Sequence, residues 1–183
     1  MKATQQLKNE HEGVKIMLNI LARVCRQLEE TGNLDAEHFK GILEFLSVFV
    51  DKCHHGKEEE LLFPALEAAG IPKDGPISVM LHEHQVGRDY VKAMDETFAG
   101  YKQGNKPSSQ GIIRIANDYI SLLTNHIEKE NSVLFVMADS CLSEKMQDEL
   151  FEGFEKIEEE RIGIGKHEEF HGMLEKLSGI YLS

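Results

Sequence analysis

The sequence predicts an all-α protein, an antiparallel up-down-up-down four-helix bundle with additional C-terminal helices. Apolar residues recur at spacings of three and four over long stretches, the mark of amphipathic helices. Only four prolines occur, and Gly and Pro gather between those stretches. The connecting segments are short, which makes successive long helices run antiparallel. At 183 residues, 41% hydrophobic and 28% charged, the chain reads as a single domain, 1–183, able to fill one core.

The first helix is expected from about Ala3 to Glu30, with Leu7, Val14, Met17, Leu18, Leu21 and Val24 on one stripe, and stops at Thr31-Gly32-Asn33. Asp35 caps a second helix, which carries Ile42, Leu43, Leu46, Phe49, Val50, Leu61 and Leu62, reaches about Ala69 and should bend near Pro64. Pro76 suits the first position of a third helix through Tyr101. After Gly104-Asn105-Lys106-Pro107-Ser108-Ser109 a fourth helix continues to about Ala138, which completes a bundle over 1–140. The extension, 143–183, holds a charged helix beyond Ser143, a break at Gly163-Ile164-Gly165 and a short helix from Lys166 to about Tyr181, expected to pack across the bundle.

Thirty-two acidic against twenty basic residues give a net charge of −12, the wrong sign for a phosphate-binding surface, so nucleic acid and anionic membrane are excluded as partners. The amino-terminal MKATQQLKNEHEG has no apolar signal core, and nothing approaches the roughly 18 apolar residues of a membrane span. A soluble cytoplasmic protein is expected. Cys25, Cys53 and Cys141 form no CxxC and read as buried thiols rather than a disulfide framework or thiolate metal site.

Nine histidines are unevenly spread, and part of their pattern repeats. His54, Glu58, Leu62 and Phe63 recur 72 residues later as His126, Glu130, Leu134 and Phe135, and Glu10-His11 recurs 73 residues later as Glu83-His84. Each helical hairpin thus offers one His from its first helix and a His-x-x-x-Glu from its second. Residues four apart share a helix face, so each pair aims an imidazole and a carboxylate at one point. Buried imidazoles and carboxylates in four helices at matched depth call for metal. Four imidazoles and two bridging carboxylates suit two ions of iron or manganese better than calcium or structural zinc, with iron the first choice. If both ions are six-coordinate and share an oxo or hydroxo bridge, two positions stay open for a small diatomic. The Leu-Phe pairs are candidate apolar walls that exclude bulk water.

His55 competes with His54, since His55/Glu59 has the same spacing. The repeat favours His54, which leaves His55 facing a neighbouring helix or solvent. His82 competes with His84, and the Glu-His pairing favours His84. His38 is expected to be exposed. The runs Glu58-Glu59-Glu60 and Glu158-Glu159-Glu160 read as solvated faces apart from Glu58, and Leu18, Leu43, Leu46, Leu122 and Leu123 as core. Tyr119 lies two turns before His126 on the same face.

His167-Glu168-Glu169-Phe170-His171 matches the zinc-protease pattern H-E-x-x-H, but only twelve residues follow it and no strand is expected to align a substrate. His167 and His171 are better candidates for a further ligand to the di-metal centre, a lid over it, or a structural role. Glu168-x-x-His171 is the one E-x-x-H in the chain, whereas ferritin-like oxidases and iron stores need two.

The chain resembles hemerythrin-like (HHE cation-binding) domain proteins over nearly its whole length. The residues that carry the resemblance are Asn9-Glu10-His11-Glu12, the block from His54-His55-Gly56-Lys57-Glu58 through Leu62-Phe63-Pro64, Leu81-His82-Glu83-His84 followed by Gly87-Arg88, and His126-Ile127-Glu128-Lys129-Glu130. The resemblance implies a four-helix bundle with a non-haem di-iron centre held by His11, His54, Glu58, His84, His126 and Glu130. Oxygen-carrying hemerythrins have a second His one turn after the third-helix ligand; here that position is Arg88. Four bundle histidines are also the pattern of the related iron-sulfur cluster repair proteins, whose cysteine-bearing amino-terminal extension is not seen here. The expected function is binding or sensing of O2 or NO. The alternative is a di-iron redox enzyme acting on peroxide or nitric oxide, or with cluster-repair-like activity, and a third is a structural or regulatory interaction module.

Overall fold

The computed structural model describes residues 2–105 and 107–183; Met1 and the loop residue Lys106 lie outside the described residues. Six helices follow one another: α1 (Ala3–Thr31), α2 (36–68), α3 (Ser78–Lys102), α4 (107–141), α5 (Glu144–Arg161) and α6 (Lys166–Tyr181). Gly32 closes α1 in the left-handed conformation, its N–H bonded to Leu28 O. Asp35 caps α2 by accepting from His38 N, and Ser143 caps α5 by accepting from Met146 N. Pro76 does not open α3: it sits in the preceding turn, Lys73–Ile77, where Gly75 (φ −102°, ψ −130°) breaks the helical path.

Two of the long helices are wound wider than an ideal α-helix where they approach the bundle centre. In α2 the N–H of Gly56 reaches back five residues to Asp51 O, and that of Phe63 to Glu58 O. In α4 the N–H of Phe135 reaches Glu130 O in the same way. Such π-type turns favour functional sites. Pro64 falls just beyond the second wide turn, where the chain stays right-handed helical on both sides.

The apolar core has two parts. One, including Leu18, Leu21, Phe39, Phe45, Leu46, Phe98, Ile112 and Leu123, fills the end of the bundle near the 32–35 and 103–105 segments. The other, with Leu7, Leu62, Phe63, Leu66, Ile77, Leu134, Phe135 and Phe154, fills the opposite end. A polar layer of buried His and Glu separates them. Leu122 is half-buried rather than core, and Cys141 is half-buried, whereas Cys25 and Cys53 are buried thiols that desolvation pushes up to about 12.

The extension docks on α1 and α2. Phe154 of α5 is fully buried in the second apolar cluster, while Phe170, Leu174 and Leu177 of α6 join the first. Gly13 on α1 leaves the space taken by Leu174, since a Cβ there would stand 3.5 Å from Leu174 Cδ1. Among the described residues no helix is long and apolar enough to cross a membrane. If α5 folds together with the bundle, Phe154→Ala lowers the stability of the whole chain by about 3–5 kcal/mol, as expected for a buried aromatic, in a single urea transition; a separate early transition for the tail would show that 143–183 unfolds by itself.

Candidate metal centre

Four helices bring their polar residues to one level: His11 from α1, His54 and Glu58 from α2, His84 from α3, His126 and Glu130 from α4. None of the six is more than 2% exposed. His11 Nε2 lies 2.9 Å from His54 Nε2, and His84 Nε2 3.1 Å from His126 Nε2. The carboxylates lie between these two pairs. Glu58 places Oε1 3.6 Å from His54 Nε2 and Oε2 3.4 Å from His84 Nε2. Glu130 places Oε2 3.2 Å from His11 Nε2 and Oε1 3.2 Å from His126 Nε2. Each carboxylate therefore spans both pairs, and none of its oxygens accepts a hydrogen bond.

The opposite edge of every ring is held from outside. Nδ1 of His54 bonds to Glu10 Oε2 at 2.7 Å, and Nδ1 of His126 to Glu83 Oε2 at 2.9 Å. Nδ1 of His84 bonds to Glu59 Oε1 at 2.7 Å and Nδ1 of His11 to Asn131 Oδ1 at 2.9 Å. With each Nδ1–H given to an acceptor, the bare Nε2 lone pair turns inward. Facing lone pairs and orphaned buried carboxylate oxygens are costly without cations. Two donors each about 2.1 Å from one ion and at right angles stand about 3.0 Å apart, the spacing of both histidine pairs. The donor set is nitrogen and oxygen without sulfur, which suits iron or manganese. In each of two groups that share Glu58, His11/His54/Glu58/Glu130 and His55/Glu58/His84/His126, the donor atoms lie within 4.8 Å of one another. The residues fit bound metal cations.

Burial lowers the affinity of His84 for its proton, but Glu58 and Glu59 outweigh it and hold the ring up at about 9. His54 and His126 are shifted upward as well, burial being overcome chiefly by Glu58 and Glu130 respectively. Glu10 would be raised by burial, yet the His54 hydrogen bond and the Lys57 charge pull it down to about 2.

A second ring of contacts fixes those outer acceptors. Lys57, fully buried, donates to Glu10 Oε1 at 2.6 Å and to Glu158 Oε2 at 2.9 Å, tying the site to α5. Lys129 donates to Glu83 in the same relation. Arg88 donates to Asp51 at 2.7 Å and Glu59 at 2.6 Å. Phe63 stacks on His84 and Phe135 on His11, so the repeated Leu-Phe pairs close the site at its second-cluster end.

His82 is exposed. His55 is buried, not turned to solvent: its ring stacks on His84 with centroids 3.8 Å apart. A single α-helical register admits one of His54 and His55 to the centre, but the wide turns of α2 place more residues in each turn and carry both inward. His38 is half-buried, bonded through Nδ1 to Tyr181 Oη at 2.8 Å. Glu59 and Glu158 are half-buried partners of His84 and Lys57, not solvated residues. His167 and His171 lie on α6 with rings 4.7 Å apart, and neither belongs to a donor group among the described residues. Tyr119 is buried beside Gly87. Lys57 and Lys129 also obey the 72-residue repeat and were detectable from it; Glu59 and Asn131 obey it too, but differ in chemistry and gave no signal.

The family model described as Hemerythrin HHE cation binding domain matches residues 2–138. An uncharacterized protein of Mycobacterium bovis is 27% identical over 181 residues, covering 97% of this chain and 68% of that one. The iron-sulfur cluster repair proteins YtfE of Pectobacterium atrosepticum and Pectobacterium carotovorum are 30% and 37% identical over 134 residues, covering 70% of this chain. The chain spans 60% of the length of these two repair proteins. No solved structure matches it.

Removing the orienting acceptor in Glu10→Gln is expected to weaken metal binding about 10–100-fold, read by competition with a chelator. Lys57→Met strands the buried Glu10 charge and is expected to cost about 3–5 kcal/mol in urea denaturation.

Proposed function

The chain belongs to the hemerythrin HHE cation-binding family, and on that footing we propose that it is a non-haem di-iron protein that binds or senses a small diatomic, O2 or NO. The family supports metal binding, and one observation carries the finer reading: Glu58 and Glu130 each stand between two facing histidine pairs with both oxygens unpartnered. That arrangement suits two ions sharing two carboxylates. His11, His54, His84, His126, Glu58 and Glu130 would hold them. Bound iron supplies reversible ligation and electron transfer to a diatomic.

The chain's own groups do the rest. Glu10, Glu83, Glu59 and Asn131 orient the imidazoles; Phe63 and Phe135 close one side against water. On the other side Val14, Val50, Leu123 and Ile127 leave, beside the histidines, a gap too narrow for a water molecule. Packing this close leaves no room for bulk water beside the donors. The match to the repair proteins over 134 residues favours a second reading, a di-iron redox activity in cluster repair.

Anaerobically reconstituted protein is expected to carry two irons per chain and to change its visible spectrum in air, and both properties should vanish in His54→Ala and His126→Ala but survive in His167→Ala and His171→Ala. Less than one metal per chain, or metal that depends on the tail histidines, overturns the assignment. Reversible spectral change without consumption supports binding; steady loss of NO or peroxide supports the enzyme. A metal takes the deprotonated imidazole, and the neighbouring carboxylates make His54, His84 and His126 hold their protons more tightly than usual, so metal loading should also release protons, measured with a pH indicator in weak buffer.

A further inference from the structure

One buried polar side chain is not used by the centre as described. His55 is 4% exposed, and neither ring nitrogen has a hydrogen-bond partner. By distance it groups with Glu58, His84 and His126. Its orientation argues against sharing an ion with His84, because the two rings lie nearly parallel, 14° apart at 3.8 Å. A nitrogen lone pair lies in its ring plane, so an ion in the plane of His84 faces the flat side of His55 rather than its donor edge.

His55 also stands between two spaces. It lines the narrow gap against His11, His54 and His126, and it lines a cleft of about 440 Å³ opening between α2 and α3, with Leu46, Gly87, Arg88, Val91 and Tyr119. Asp51 Oδ1 stands 3.5 Å from His55 Nδ1 without forming a hydrogen bond to it and accepts from Arg88 Nε at 2.7 Å. In either protonation state an imidazole carries at least one ring N–H to give.

We infer that His55 is a positioning residue and not a metal ligand: a small hydrogen-bond acceptor reaches the metal pair through the α2/α3 cleft and takes the His55 N–H at the inner end of that passage. The inference rests on the di-iron reading above.

The test uses the full chain loaded with iron and azide as the probe, followed by metal analysis, visible titration and stopped-flow mixing. In His55→Leu the metal content per chain is expected to equal that of wild type while azide affinity falls about tenfold, the loss of one hydrogen bond to a charged acceptor. His55→Gln, which keeps an N–H, should recover most of that loss. Val91→Trp, which fills the cleft, should slow azide association and dissociation by a similar factor and leave the affinity unchanged. If His55→Leu loses metal, His55 is a ligand; if it binds azide as wild type does, His55 is packing; if Val91→Trp leaves the rates unchanged, the passage lies elsewhere. Each result overturns the inference with the di-iron reading intact, whereas failure of that reading shows in wild type alone, as absence of the metal pair.

Discussion

Burying an ionisable layer in the middle of an apolar bundle is the constraint around which this molecule is arranged. Four imidazoles and two carboxylates occupy one level with almost no water access, and the apolar clusters lie on either side of it. Such a layer is destabilising unless every polar atom has a counterpart. The outer atoms have theirs in Glu10, Glu83, Glu59 and Asn131; the inner ones face each other. Cations among the inner atoms would supply those counterparts, and binding them would add to the stability of the fold.

The extension is bound up with the same layer. Lys57 reaches Glu10 on one side and Glu158 of α5 on the other. Orientation of His54 thus depends, through Glu10, on a residue beyond the 2–138 stretch that the family model covers. On the opposite half Glu83 is held by Lys129 of α4 itself. The two hairpins repeat the lysine support, and among the described residues the first alone ties it to the extension, through Glu158.

The long helices were legible because their apolar spacing, capping residues and Gly/Pro breaks agree, and the six bundle residues were picked out because the repeat is written in identical letters. Their role as ligands is a proposal about a site the structure brings together. The repeat points to His54 and leaves His55 facing a neighbouring helix or solvent, and the hydrogen bonds reaching back five residues, which bring His55 inward, leave no plain mark in sequence. Glu59 and Glu158 sat in acidic runs that look solvated; what withdraws them from water is His84 in one case and Lys57 in the other, contacts across 25 and 101 residues. Asn131 escaped because one half of the repeat uses an amide where the other uses a carboxylate.

The way the halves interlock has a further meaning in terms of symmetry. Glu58, Glu59 and Phe63 of the first hairpin all serve His84 of the second, while Glu130, Asn131 and Phe135 of the second serve His11 of the first. This is an isologous contact, the same patch presented twice about an approximate dyad, of the sort that closes cyclic dimers. Here both copies lie on one polypeptide, so the dyad is freed from exact equivalence, and Glu59 with Arg88 on one side faces Asn131 on the other. The His11/His54 and His84/His126 pairs are therefore chemically distinguishable, which exact symmetry between two identical chains would forbid.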